Sequence, residues 1–375
     1  MVVGVVGGGQ LARMMYQESI PLGLDIRFLV TSPDEPAAQV SRHHTIGSAT
    51  SADDLRRFAE QVDVLTFDHE VVDLDTLADL HASGCVLRPG ASTFATVSHK
   101  VHMRRAMTGA GLPVPPFLAT IDPAEAASVV SDDGPQVLKL AHGGYDGRGT
   151  FFVDDPAEAA RLVESASGAE VLLEPRLDLL AELAVLVVRR PSGAHVVYDP
   201  VTTVQVGGQC RRVDAPASHA DALLASARAL ARDAAEAVDA VGVLAVELFL
   251  TREGLLINEL AARPHNSGHH TLDGTVTSQF ENHLRAVLDL PLGDASTVES
   301  TVTANLIGRD DATDPAARLP EALAVDPAAR IHLYGKTPRH DRKLGHVTVC
   351  DDDRDRGVER VRRVVETLGG QEVPR

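Results

Sequence analysis

From Val2 to Leu87 short apolar runs alternate with stretches of helical periodicity: Val2–Val6, Leu11–Gln17, Ile26–Val30, Ala52–Glu60, Val62–Phe67, Leu74–His81 and Cys85–Leu87. A helix between two strands returns the chain to the edge it left, so the strands pair in parallel with helices on the sheet faces. The chain therefore opens with a small parallel α/β sheet. SHKVHMRRAMTGAG then predicts a helix capped by Ser98 and ending near Gly109 or Gly111, and LPVPPF (Leu112 to Phe117) reads as a stiff connector and domain boundary. Beyond it come a strand–glycine turn–strand unit from Gln136 to Val153, the strand EVLLEP, an Ala-rich helix and a hairpin, VLAVELFLTREGLLINELAAR. From Val298 the pattern changes to short strands and a last helix from Gly357 to Leu368, with Asp310 to Pro327 as a surface excursion.

With 375 residues, two or three domains are expected, and 44% apolar against 23% charged residues is the balance of a soluble globular chain. A net charge of −18 argues against nucleic acid and against an anionic membrane as partners, though local cations can still hold a small anion. No apolar run reaches the length of a membrane span, and the N-terminus lacks a signal-peptide pattern. Cys85, Cys210 and Cys350 have neither disulfide nor metal spacing, which points to the reducing cytoplasm.

Gly7, Gly9 and Ala12 match the turn that holds a dinucleotide, but the second apolar run ends in Thr31 and Ser32 without the carboxylate that would hold a ribose. A nicotinamide oxidoreductase is disfavoured on that ground. HGGYDGRGTF carries more information. Gly143, Gly144, Gly147 and Gly149 surround Tyr145, Asp146 and Arg148, and Lys139 lies on the incoming strand, so converging N–H groups and two cations suit a phosphate. A three-residue loop Arg252-Glu253-Gly254 would pair Thr251 with Leu255 and set Glu247 opposite Glu259. Carboxylates so close repel, and a magnesium ion between them resolves the conflict; a two-residue loop would instead separate their faces. In RPHNSGHH, Arg263, His265, Asn266 and Ser267 form a donor set for an oxyanion rather than a zinc site. Lys336, Arg339, Arg342 and Lys343 form a cationic island that is either a solvated face or a phosphate seat.

Together GGGQLARMM, GGYDGRG, LLEP, AVEL, INELAARPHNSGHHT and LYGK…RKLGH resemble the ATP-grasp enzymes, and among them the N5-carboxyaminoimidazole ribonucleotide synthetase family, from about residue 2 to about 350. The resemblance implies an α/β chain with the ATP-grasp fold: a pre-ATP-grasp domain (1–97), a small lid domain (98–170), a large domain (171–297) and a C-terminal segment (298–375), commonly as a homodimer. It implies Lys100 and Lys139 as nucleotide contacts, with Gly144, Tyr145, Asp146, Gly147, Arg148, Gly149 and Thr150 as the lid over the phosphates. Glu174, Pro175, Arg176 and Leu177 would follow the adenine edge, with Glu182 on the ribose and Asn258 in the nucleotide site. Glu247 and Glu259 would hold magnesium. Gly9, Gln10, Leu11, Glu70, Tyr145, Asp146, Arg148, Asn266, Ser267, Lys336 and Arg342 would face aminoimidazole ribonucleotide. Arg263 and His265 would hold carboxyphosphate, and Asp146 would take the amine proton.

Four departures from the family pattern stand out. Lys100 replaces a frequent Arg, Gln205 occupies a neighbourhood that often carries His, Ala12 replaces Gly, and KTPRHDRK is one residue short and lacks Pro-Gly. The implied activity is ATP- and bicarbonate-dependent carboxylation of aminoimidazole ribonucleotide, a small-molecule reaction. The alternatives are a formate-dependent glycinamide ribonucleotide transformylase, disfavoured by the HNSGH loop and C-terminal cations, and a non-catalytic nucleotide binder, which would not need Lys139, Glu247 and Glu259 together.

Overall fold

A computed structural model describes residues 1–142, 147 and 149–375. Three sheets account for the strands. The first is the expected parallel sheet, order β3-β2-β1-β4, from β1 (Val2–Val6), β2 (Asp25–Val30), β3 (His44–Ile46) and β4 (Val64–Phe67). Cys85–Leu87 does not add a strand; it contributes one bridge, Leu65 to Leu87. β3 was not expected, because HTI is too short to show periodicity.

The second sheet is antiparallel, order β5-β8-β6-β7, from β5 (Leu118–Thr120), β6 (Gln136–Leu140), β7 (Thr150–Val153) and β8 (Val171–Pro175). The helix before it spans Lys100–Gly109. Its cap is His99, whose ring accepts the His102 N–H, and not Ser98, which closes the preceding Ala91–Val97 helix.

The third sheet has nine strands in the order β14-β13-β9-β11-β12-β15-β17-β16, with β10 on β9. They are β9 (Ala181–Arg189), β10 (His195–Val197), β11 (Val201–Val206), β12 (Gln209–Ala215), β13 (Gly242–Leu250), β14 (Leu255–Ala261), β15 (Thr301–Ile307), β16 (Arg330–Leu333) and β17 (Lys343–Cys350). Because β12 pairs with β15, the C-terminal strands continue the sheet that carries the candidate metal hairpin. The excursion from Asp310 includes a short helix, Leu319–Val325, which buries Ala322 and sets Asp326 against Arg360.

One side chain rivets the first sheet to the third. His283 is fully buried; its Nδ1 accepts the Val243 N–H of β13 at 3.1 Å, so the other ring nitrogen donates to Thr66 of β4 at 2.8 Å.

Candidate active site

β13 and β14 carry Glu247 and Glu259, and they pair directly across the strands, though not through the expected loop. Leu250, not Thr251, pairs with Leu255, and the turn closes through Thr251 N–H to Gly254 O at 2.9 Å. Continued regularly, that register would oppose Glu247 to Asn258. A bulge leaves Asn258 as the extra residue on β14 and brings Glu259 into line. Burial and the charges of Glu259 and Glu182 push the Glu247 carboxyl up to about 8. Burial acts the same way on Glu259, but the Lys100 ammonium hydrogen-bonded to it holds its carboxyl below the ordinary range. Two facing carboxylates that repel each other when both are ionised are a donor set that fits a hard divalent cation such as magnesium.

On one flank of this pair lies a buried ionic cluster. Lys139 on β6 donates to Asn258 Oδ1 at 3.0 Å and pairs with Glu174 Oε2 at 2.6 Å. Glu174, on β8, is 3% exposed and also takes Arg104 Nε at 2.5 Å, so its side chain is committed inside the protein and only its backbone is left for an adenine edge. Pro175 ends β8, Arg176 packs over the Phe152 ring at 5.4 Å, and Leu177 follows beyond the strand. Glu182 sits on β9 opposite Phe249, its carboxyl raised by burial. Gly149 O accepts the Leu140 N–H at 2.8 Å, and Thr150 begins β7. At Gly147, with φ +77°, a Cβ would lie 2.5 Å from Gly207 O, so Gly147 meets the β11–β12 turn just past Gln205. Gly143, Gly144, Tyr145, Asp146 and Arg148 lie outside the described residues.

On the other flank, His265 Nε2 is 3.6 Å from Glu247 Oε1. Burial, with Arg263 and Lys343 nearby, pulls the His265 imidazole down to about 3, so the ring is neutral. Its Nδ1 accepts the Ser267 N–H at 3.3 Å, which leaves the proton on Nε2, facing the carboxylates. Gln279 clamps the His265 backbone from both sides, at 2.9 and 2.7 Å. Ser267 is 1% exposed, and its hydroxyl and N–H both meet His265 Nδ1, so it orients that ring. Both amide atoms of Asn266 are buried without a protein partner, as a ligand-facing amide would be. Arg263 pairs with both Glu70 oxygens, at 3.0 and 3.1 Å. Lys336 donates to Gln10 Oε1 at 2.6 Å, joining the two ends of the chain, and Arg342 donates to Thr337 O at 3.0 Å on the same segment.

The N-terminal glycines have a different task from the one their spacing suggests. Gly9 N–H donates to Asp68 Oδ2 at 2.6 Å, and a Cβ on Gly7 would lie 1.8 Å from Asp68 Oδ1. A Cβ on Gly8 would meet Glu35 Oε2 at 2.5 Å. Two carboxylates pack against the turn that a dinucleotide's pyrophosphate would have to approach, which counts against a dinucleotide there. Leu11 places its side chain in the core at 5% exposure.

Arg104, Asp68 and Gln279 were not anticipated. Arg104 had a signal, since it lies one helical turn after Lys100; Asp68 and Gln279 act through contacts distant in sequence.

With this geometry in view, the comparisons are specific. Residues 1–97 match the ribonucleotide synthetase preATP-grasp domain, 105–280 the ATP-grasp domain and 301–360 the phosphoribosylaminoimidazole carboxylase C-terminal domain. The N5-carboxyaminoimidazole ribonucleotide synthase of Mycobacterium tuberculosis is 48% identical, covering 94% of this chain and 84% of its own. The Aspergillus clavatus carboxyaminoimidazole ribonucleotide synthase complexed with ATP matches with TM-score 0.90 at 33% identity over 98% of both chains. The same organism's N5-carboxyaminoimidazole synthase with ADP and 5-aminoimidazole ribonucleotide matches at TM-score 0.89 and 32% identity over 98% of both chains. The chain belongs to the N5-carboxyaminoimidazole ribonucleotide synthase family of ATP-grasp ligases.

Proposed function

We propose that this chain uses ATP and bicarbonate to carboxylate the exocyclic amine of 5-aminoimidazole ribonucleotide, giving N5-carboxyaminoimidazole ribonucleotide for purine synthesis. The observation that carries this reading is the position of the Glu247–Glu259 pair. Lys100 and Asn258–Lys139 touch it from one side and His265 from the other, so a phosphoryl donor and an oxyanion acceptor share one cleft. The relatives named for this activity, and the Aspergillus complex with ADP and aminoimidazole ribonucleotide, support it.

A bicarbonate oxygen attacks the γ-phosphorus and ADP leaves, forming carboxyphosphate; the amine then attacks its carboxyl carbon and phosphate leaves. Glu247 and Glu259 would hold magnesium, which neutralises charge on the phosphates being transferred. Lys100 and Lys139 bring cationic donors to the phosphate side. Neutral His265 donates through Nε2 to the oxyanion, and Arg263 exchanges part of its Glu70 contact for the same ligand. Gln10 and Lys336 bind the ribonucleotide end, with Glu70 and Arg342 beside it, and Asp146 on the lid takes the amine proton. Closure of the Gly144 to Thr150 lid over the phosphates would exclude water from carboxyphosphate. The same reading includes a cytoplasmic homodimer and the four-part division at residues 97, 170 and 297.

The test is ADP release together with incorporation of labelled bicarbonate into an acid-labile product. Turnover should need ATP, bicarbonate and aminoimidazole ribonucleotide together. Release indifferent to the ribonucleotide would overturn the reading, and turnover with formate replacing bicarbonate would favour the transformylase alternative.

A further inference from the structure

We infer that Arg104 is a positioning residue, whose guanidinium holds the β14 bulge and so sets Glu259, rather than Asn258, opposite Glu247. The inference rests on the proposed role of that pair.

The residue is fully buried, on the Lys100–Gly109 helix beneath the cleft. One terminal nitrogen donates to Asn258 O at 2.6 Å and Ile257 O at 3.1 Å, the two carbonyls at the register shift. Its Nε holds Glu174 at 2.5 Å, and the other Glu174 oxygen holds Lys139, which reaches Asn258 Oδ1. The extra residue therefore has its carbonyl and its side chain fixed by one connected cluster. A bulge withdraws backbone groups from the ladder, and in a buried site those groups need other partners. A burial of this kind is costly for a cation unless it is fully paired, and here the pairing goes to the carbonyls that define the bulge. Only a planar fork can serve a carboxylate and two carbonyls together; a lysine ammonium lacks that reach and geometry. The cluster also ties β8 and β6 of the second sheet to β14 of the third, so adenine edge and metal pair are held in one frame.

Arg104→Lys and Arg104→Met test this in the full chain. The magnesium concentration giving half-maximal enhancement of ADP binding, read by calorimetry, should rise about 10–100-fold, the usual effect of removing an outer-shell support. ADP binding in EDTA should weaken by less than the magnesium requirement rises. Hydrogen exchange should accelerate across residues 255–261 while β15 and β17 keep wild-type rates. Should Arg104→Met fail to fold, Arg104→Lys alone decides. A lysine variant with wild-type magnesium requirement and wild-type exchange would overturn the inference, even if its melting temperature fell. If the wild-type chain shows no magnesium-dependent ADP binding, the proposed function fails, and the exchange comparison still decides the role of Arg104 at the bulge.

Discussion

Glu259 and Lys336, both assigned to the proposed site, sit in different surroundings. Glu259 faces a second carboxylate and is partnered by Lys100, so its charge serves the shared site more than any single contact. Glu259→Gln should abolish ADP release while leaving the melting temperature close to wild type. Glu247→Gln should do the same, and the double variant should lose no more than either single one, because the pair acts as a unit. Lys336 instead meets Gln10 across the join of the chain's two ends. Lys336→Ala should weaken aminoimidazole ribonucleotide binding by about 1.5–3 kcal/mol, roughly ten- to a hundred-fold, with magnesium–ATP affinity unchanged. A matching loss of ATP affinity in titrations would assign Lys336 to the nucleotide.

The turn between β1 and the Gln10–Ser19 helix shows why a motif's spacing is weaker evidence than its surroundings. Gly7 has φ +109°, and a side chain there would collide with the Asp68 carboxylate as well as strain the backbone. Gly7→Ala should cost about 1–3 kcal/mol from backbone strain alone, with the clash added, and a urea midpoint measures it. The β13–β14 hairpin makes the complementary point. Its carboxylate pairing follows from a bulge, an element whose presence depends on partners outside the hairpin.

The assembled molecule keeps an unusual number of imidazoles neutral. Burial pulls His265 and His283 down to about 3 and His99 and His270 to about 4, and it takes His269 and His346 well below the ordinary value. Below about pH 6.5 the unfolded chain binds protons that these native rings refuse. Stability is therefore fully present above that pH and falls with acid, each ring contributing up to about 1.4 kcal/mol per pH unit. Thermal unfolding from about pH 8 to about pH 5 should show a steep loss below about 6.5. In His283→Gln the slope should be shallower by one proton, although the variant lacks the rivet between the first and third sheets. An unchanged slope would mean that this ring titrates in the native state.

Local pattern determined much of this protein. Alternation in the first segment specified a parallel sheet, and the apolar runs around Glu247 and Glu259 specified a hairpin with both carboxylates on it. The motif set specified the family, because each piece is a short stretch whose chemistry is written in adjacent residues. Tertiary structure decided what those residues do together. The turn spans Thr251 to Gly254 rather than three residues, and the facing carboxylates result from a bulge that Arg104, Lys139 and Glu174 hold from other elements. Asp68 decided what the glycine turn accommodates, and Ser267 and Gln279 decided which His265 nitrogen carries the proton and where it points. The physical reason is common to all three. Register and pKa depend on burial and on partners tens or hundreds of residues away, and the tautomer, set by the nearby Ser267 N–H, depends on a loop that Gln279 holds; no periodicity along a sequence encodes those contacts.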